Sequence, residues 1–297
     1  MSQQLSTTFN LVNVTGGSGS IAGQQVYAAA HDGYTWLGDV AHTVSGWRTL
    51  GYADLGWEDF YGFYAASSPY VLFVSGNSPY QTAQQLFDAM RGDPSMKWGN
   101  AGLGSINQLT GSLMLEKLGL KGNSVPYDGG RSAAIKVVAG EVTWSWCGLS
   151  DILDLAQSGD IRILGICDSS PREIDCAKGN YTVPSLLDDY PELSDLQGLL
   201  YWGFRVSRDT PADAVAKIRD AFQSTVDSKE WAQFCQTKGL EPAAIIGTES
   251  DEICAKLESI YDAGISTINP ADYQIPRIED FSFPANDRTA AAQAWPE

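Results

Sequence analysis

The chain is poor in basic residues. Nineteen Lys and Arg stand against 36 Asp and Glu in 297 residues, a formal net charge of −17. Nucleic acid and anionic membrane surfaces attract basic faces, so this balance argues against both as partners, and the acid excess reads first as solubility. An anionic ligand would need local help from backbone amides or a few Arg residues. Histidine is scarce, with only His31 and His42. The cysteines (Cys147, Cys167, Cys176, Cys235 and Cys254) include no CxxC pair, which disfavours a structural zinc site. Cys167 and Cys176 flank the loop 168–175 and are placed to close a small disulfide in an oxidising compartment; five buried thiols are the alternative. No run reaches the ~20 apolar residues that cross a bilayer. The opening MSQQLSTTFN has neither the basic start nor the apolar centre of a signal peptide. Taken literally it opens a cytoplasmic chain; taken as an internal start within a longer protein it says nothing of location. There is no G-x-S-x-G elbow, neither histidine has a triad context, and Cys147 inside WSWCG reads as an inert buried thiol. Paired carboxylates such as Asp188 and Asp189 fall in loops and read as solvated surface.

What is present is an ordinary globular composition, 43% hydrophobic and 19% charged, long enough for two domains. Residues 9–14 read as a strand and 20–30 as a helix. SSPYVLFVSG reads as a wholly apolar strand buried on both faces. SPYQTAQQLFDAMRGDP reads as a helix opening at Ser78 and Pro79. MKWGNAGLG is a strand ending in glycines, and SINQLTGSLMLEKLGL an amphipathic helix closing at Gly119. The rhythm repeats through helix 131–139, strand EVTWSWCGLS, helix DILDLAQSG and strand IRILGIC. Strand GLLYWGFRVS and two further helices follow. Such alternation predicts α/β layers with a largely parallel sheet. Tyr70–Val74 and Leu200–Val206 look like crossings between two lobes. The tail from Pro270, rich in Pro and Asp, is expected to lie along the surface.

Two segments carry candidate chemistry. Gly17, Gly19 and Ala22 spell G-x-G-x-x-A after the first expected strand, and Asp39 stands where a ribose-binding acid would. That pattern is the basis of an alternative reading as an NAD(P)-dependent oxidoreductase using loop 16–22. No P-loop lysine follows the glycines. The second segment is GNAGLGSINQL, where a strand ends at Gly99-Asn100 and Ser105 is placed to cap a long helix. A helix N-terminus offers unpaired N–H groups and partial positive charge, so it can hold a carboxylate without Lys or Arg. A merely well-capped helix is the competing reading.

Several segments together resemble the substrate-binding proteins of tripartite tricarboxylate transporters, the TctC or Bug family. NVTGGSGSIAGQQVYAAAHDGYTWL is similar to that family's glycine-rich block ending in D-G-Y-T. SSPYVLFV, GNAGLGSINQLTG, VPYDGGRSAAIKVVAGEV, SGDIRILGI, YTVPSLLDDYP, YWGFRVSRDTPADAVAKI and KGLEP then follow in the family's order, over about residues 3 to 265. The resemblance implies a two-lobed type II periplasmic-binding-protein fold with parallel-rich sheets. Its lobes would be residues 1–74 with 205–297, and 75–204. It implies a solute-binding protein, not an enzyme and without a cofactor, that takes a small organic acid between its lobes and passes it to membrane permease subunits. It further implies a periplasmic or extracytoplasmic monomer. Carried over residue by residue, the ligand contacts are Asp39, Ala41, His42 and Thr43 in the first lobe. In the second they are Asn100, Gly104, Ser105, Asn107, Cys147 and Gly148.

Departures accompany the resemblance. The family often has Asp where Thr143 and Cys147 stand and His where Asn107 stands, so a less acidic pocket is expected. Arg131 replaces a small residue just after YDGG and is read as a surface residue or as a partner for a ligand anion. The family's first strand and its glycine-rich anchoring loop have no counterpart ahead of MSQQLSTT. The fold is therefore expected to lack the first strand of lobe 1, as an internal start or a truncated relative without transport would.

Overall fold

In the computed structural model of the protein, residues 1–176, 179–198, 200–267 and 295 are described. Helix α1 (Ser20–Tyr27) leads to β1 (Leu37–Val40), α2 (Ala41–Gly46) and β2 (Phe60–Ser68). After β3 (Tyr70–Ser75) come α3 (Ala83–Gly92), β4 (Lys97–Asn100), α4 (Ile106–Lys117), β5 (Asn123–Pro126) and α5 (Gly130–Val138). The chain continues through β6 (Trp144–Gly148), α6 (Leu149–Ser158), β7 (Ile161–Cys167), β8 (Arg172–Ile174), β9 (Tyr181–Val183) and α7 (Leu186–Asp189). It closes with β10 (Leu200–Ser207), α8 (Ala212–Val226), α9 (Lys229–Lys238), β11 (Glu241–Ile245) and α10 (Gly247–Thr267). Two compact units result, Met1–Ser67 with Leu200–Asp262, and Ser68–Leu199 with the end of α10 from Ala263.

The first unit is built on the sheet β1-β10-β2-β11. Its core is aromatic. Phe204 on β10 stacks on Trp36 at 4.5 Å and on Phe63 at 4.8 Å, and Phe222 of α8 meets Phe63 edge-on at 5.5 Å. Offset and edge-on rings of this kind contribute beyond their buried area. Gly203 is required here: a Cβ on it would run into the Phe63 carbonyl.

The second unit is built on the sheet β5-β4-β6-β3-β7. β4 runs parallel to both β5 and β6, while β3 runs antiparallel to β6 and β7. The sheet is therefore mixed. Parallel pairing joins β4 to β5 and β6, and it breaks at β3, which comes straight from β2 and lies between β6 and β7. Trp98 and Trp144, partners in register on β4 and β6, stack at 5.1 Å. α4 approaches the sheet closely because Gly111 faces the Trp98 ring and leaves no room for a Cβ.

Several expectations are corrected. Residues 9–14 form no strand: Leu11 is 97% and Val12 80% exposed, and no neighbouring strand among the described residues pairs with the run. Phe9 packs its ring 4.7 Å from that of Trp36. α3 opens not at Pro79 but after Thr82, whose hydroxyl accepts from the Gln85 N–H. α4 is buried on more than one face, with Asn107, Gln108 and Thr110 inside together with Ile106, Leu109 and Met114, so the expected two-sided pattern does not hold. No disulfide joins Cys167 to Cys176. The Cys167 thiol lies 3.7 Å from the Leu193 carbonyl and that of Cys176 3.4 Å from the Ala156 carbonyl. The tail from Pro270 lies outside the described residues apart from Trp295.

Candidate functional site

In the second unit, three successive strands β4, β5 and β6 lie parallel and each is followed at once by a helix, α4, α5 or α6. Their C-terminal ends, and hence three helix N-termini, share one edge of the sheet. Such an edge, where strands give way to helices, is where ligands bind in open α/β sheets. Two cross-links hold the first two loops side by side. The Tyr127 N–H donates to the Asn100 carbonyl at 3.0 Å, and the Gly129 N–H to the Ala101 carbonyl at 3.2 Å.

The side chains expected to touch ligand are for the most part engaged in shaping these loops. Asn100, fully buried, accepts from the Gly102 N–H at 2.9 Å and donates to Ser124 Oγ at 2.7 Å. Gly104 adopts φ of +69°, and its N–H donates to Gln108 Oε1 at 2.7 Å. Ser105 caps α4, its hydroxyl accepting from the Gln108 N–H at 3.2 Å, while its own N–H donates to the Gly102 carbonyl. The next two N–H groups, of Ile106 and Asn107, find no acceptor among the described residues. The Asn107 amide is buried and reaches the Trp146 carbonyl only at 3.4 Å. At α5, Gly130 and Arg131 likewise keep unengaged N–H groups among the described residues. Sequence reasoning locates Ser105 through its capping pattern. The same pattern marks the open helix start behind it; Gly130 is missed, because Gly129 at the N-cap of α5 offers no side-chain cap to mark a second open start.

Cys147 and Gly148 end β6. The Cys147 thiol is fully buried, and burial pushes its pKa well up, so it is no thiolate nucleophile. The first N–H groups of α6 are spent, Leu149 on the Pro69 carbonyl at 2.9 Å and Ser150 on Ser68 Oγ at 3.1 Å. Arg131 supplies no free cation, since both its terminal nitrogens clasp Asp154.

In the first unit, β1 delivers Asp39 and α2 begins at Ala41. Arg205 Nε donates to the Asp39 carboxylate at 2.9 Å, and the same guanidinium donates to the Tyr64 hydroxyl. Arg205 is 1% exposed, so Asp39 serves as the counter-ion of a buried cation. Ala41 is buried and accepts from Ser45 Oγ through its carbonyl. Thr43 donates to the Val40 carbonyl at 2.8 Å. His42 is half-buried; its Nδ1 is sealed from water and has no hydrogen-bond partner among the described residues, and burial lowers its pKa to about 4.

The glycine-rich loop is packed rather than poised for a dinucleotide. No strand precedes it among the described residues, and the Ser18 carbonyl accepts from the Trp47 indole at 3.0 Å. Gly23 leaves room for the Trp47 ring, where a Cβ would collide. With Asp39 committed to Arg205, the oxidoreductase reading loses its ribose-binding acid. A cavity of about 630 Å³ also lies in the second unit, at the C-terminal end of α6, between Gly76, Ser158, Tyr181 and Tyr190. None of the expected ligand contacts lines it.

A mixed sheet with helices starting from one edge, and open main-chain donors there, is the layout of a periplasmic-binding-protein fold. The chain belongs to the tripartite tricarboxylate transporter receptor family, TctC, whose model matches residues 1–256. A UPF0065 protein of Bordetella bronchiseptica is 27% identical over 185 residues, 60% of this chain; the alignment spans about half, 52%, of that relative. A TctC solute-binding protein from Polaromonas, solved without ligand, superposes with a TM-score of 0.71 at 20% identity, covering 90% of this chain and 89% of that one. MatC of Rhodopseudomonas palustris with bound malate superposes at 0.66 and 19% identity, over 89% of this chain and 88% of MatC. A second R. palustris protein, solved with adipate, gives 0.70 at 21% identity over 91% and 89%. At such identities these structures establish the fold.

Proposed function

We propose that this protein is an extracytoplasmic, periplasmic receptor that captures a small organic acid and delivers it to the permease subunits of a tripartite transporter. It does so as a monomer and without a chemical step. The observation that carries the reading is the cross-linked pair of loops Asn100–Gly102 and Tyr127–Gly129. They set the N-termini of α4 and α5 side by side and leave the N–H groups of Ile106, Asn107, Gly130 and Arg131 open. Each helix end carries roughly half a positive charge, so two of them can receive a carboxylate in a strongly acidic protein whose nearby Arg131 is held by Asp154. The malate and adipate held by the two R. palustris relatives support an acid of that size. On the first unit, His42 and Thr43 remain the polar candidates for ligand contact, since Asp39 is spent on Arg205.

Thermal unfolding against malate, adipate, aromatic acids and NADH tests the reading. A ligand that binds only the folded state at a hundred times its Kd stabilises it by about 2.7 kcal/mol. A rise in Tm with at least one carboxylate and none with NADH is expected. Stabilisation by NADH alone would overturn it.

A further inference from the structure

We propose that Asp151 sets the charge selectivity of this site, as a carboxyl built among the helix N-termini that opposes the anion they attract. The inference rests on the receptor reading above. Asp151 lies in the first turn of α6, at the strand edge shared by α4 and α5. Its carboxylate packs against Gly130, the first residue of α5: a Cβ there would come within 2.5 Å of Oδ2 and 3.0 Å of the Cys147 Cβ. Gly130 thus allows the carboxyl to sit against the first turn of α5.

The groups facing it do not neutralise it. From α5 comes Arg131, whose guanidinium is held by Asp154 on the exposed side and gives Asp151 only a 3.3 Å bond to its backbone carbonyl. From β6 comes Cys147, a buried neutral thiol. β7, the other strand packed on α6, carries Arg162, which is spent on the carbonyls of Gly76, Ser78 and Tyr80. The Asp151 carboxyl itself accepts no hydrogen bond among the described residues. Desolvation therefore dominates and lifts its pKa to about 6, against the weaker pull of Arg131. Below that pH the carboxyl is neutral, and the helix N-termini act on a ligand unopposed. Above it a full negative charge stands next to them, so an anion binds less tightly and a neutral, hydrogen-bond-donating ligand gains by comparison.

Calorimetric titration of adipate, malate and the neutral diamide of adipic acid into the wild type and Asp151→Asn, at about pH 5 and about pH 7.5, tests this. Comparison with the variant cancels the acids' own ionisation. Wild-type affinity for the acids should fall by about tenfold more than that of the variant across this range, the size of a typical coupling between two sites. The variant should bind the acids more tightly at the higher pH, and any diamide binding should be unaffected. Parallel profiles in the two proteins would overturn the role of Asp151 and leave the receptor reading standing. Binding of neither acid at either pH would overturn the role of Asp151, and the receptor reading falls with it if no acid of the thermal panel binds. Should Asp151→Asn not fold, Asp151→Ser serves the same comparison.

Discussion

At the scale of single residues, Arg205 shows how the first unit commits its charge. The guanidinium is sealed in the core, with Asp39 as its ion partner and the Tyr64 hydroxyl and Cys254 thiol as its other acceptors. Removing one member of a buried pair leaves the other charged and unpaired, which costs about 3–5 kcal/mol. Asp39→Ala should lose that much in urea unfolding, whereas the double change Asp39→Leu with Arg205→Met should lose clearly less. Equal losses would mean that the pair is not what holds the site. Two other groups give opposite dependences on pH. His42, lowered to about 4, binds fewer protons folded than unfolded between about pH 4 and 6.5, so its contribution to stability rises with pH there. Asp151, raised to about 6, binds more protons folded than unfolded between about pH 4 and 6, so its contribution falls as pH rises. The two partly cancel in the wild type. Measured as Tm at about pH 7 minus Tm at about pH 5, His42→Leu should shrink the difference and Asp151→Asn should enlarge it. Shifts of the opposite sign would contradict the burial of these groups.

At the scale of elements, caps and close approaches decide where helices and strands lie. Ser105→Ala removes the acceptor for the Gln108 N–H and should cost about 1 kcal/mol of stability. Gly203→Ala brings a methyl group against the Phe63 carbonyl and should separate β10 from β2. An unfolded or strongly destabilised product, seen as a loss of several kcal/mol in the same urea assay, is the expected outcome for such a backbone clash. The legibility of these elements in the sequence follows the range of their causes. The Ser105 cap is a local pattern, and it is legible. So is the apolar run of β3, buried on both faces. The Phe9–Val12 run reads as a strand and is none, because its neighbours, not its residues, decide pairing. Thr82 escapes notice because Ser78-Pro79 spells an equally good opening one turn earlier. The ion pair of Asp39 joins residues 166 apart in sequence, so nothing local could reveal that the carboxylate is already taken.

At the scale of the whole molecule, collinear weak motifs carry the family, and the match over residues 1–256 bears that out. The candidate site is only partly legible. Loop Asn100–Asn107 stands out through its glycines and its cap, but its donors are main-chain groups of Ile106 and Asn107, joined by those of Gly130 and Arg131 through a cross-link that residue types do not encode. These amides are the proposed receivers of a carboxylate, and backbone amide NMR during titration with adipate or malate tests that role. Saturable shifts centred on Ile106, Asn107, Gly130 and Arg131, absent on titration with NADH, are the predicted result. Shifts centred on residues 16–22, or on the cavity beside Tyr181 and Tyr190 with those four amides unmoved, would contradict it.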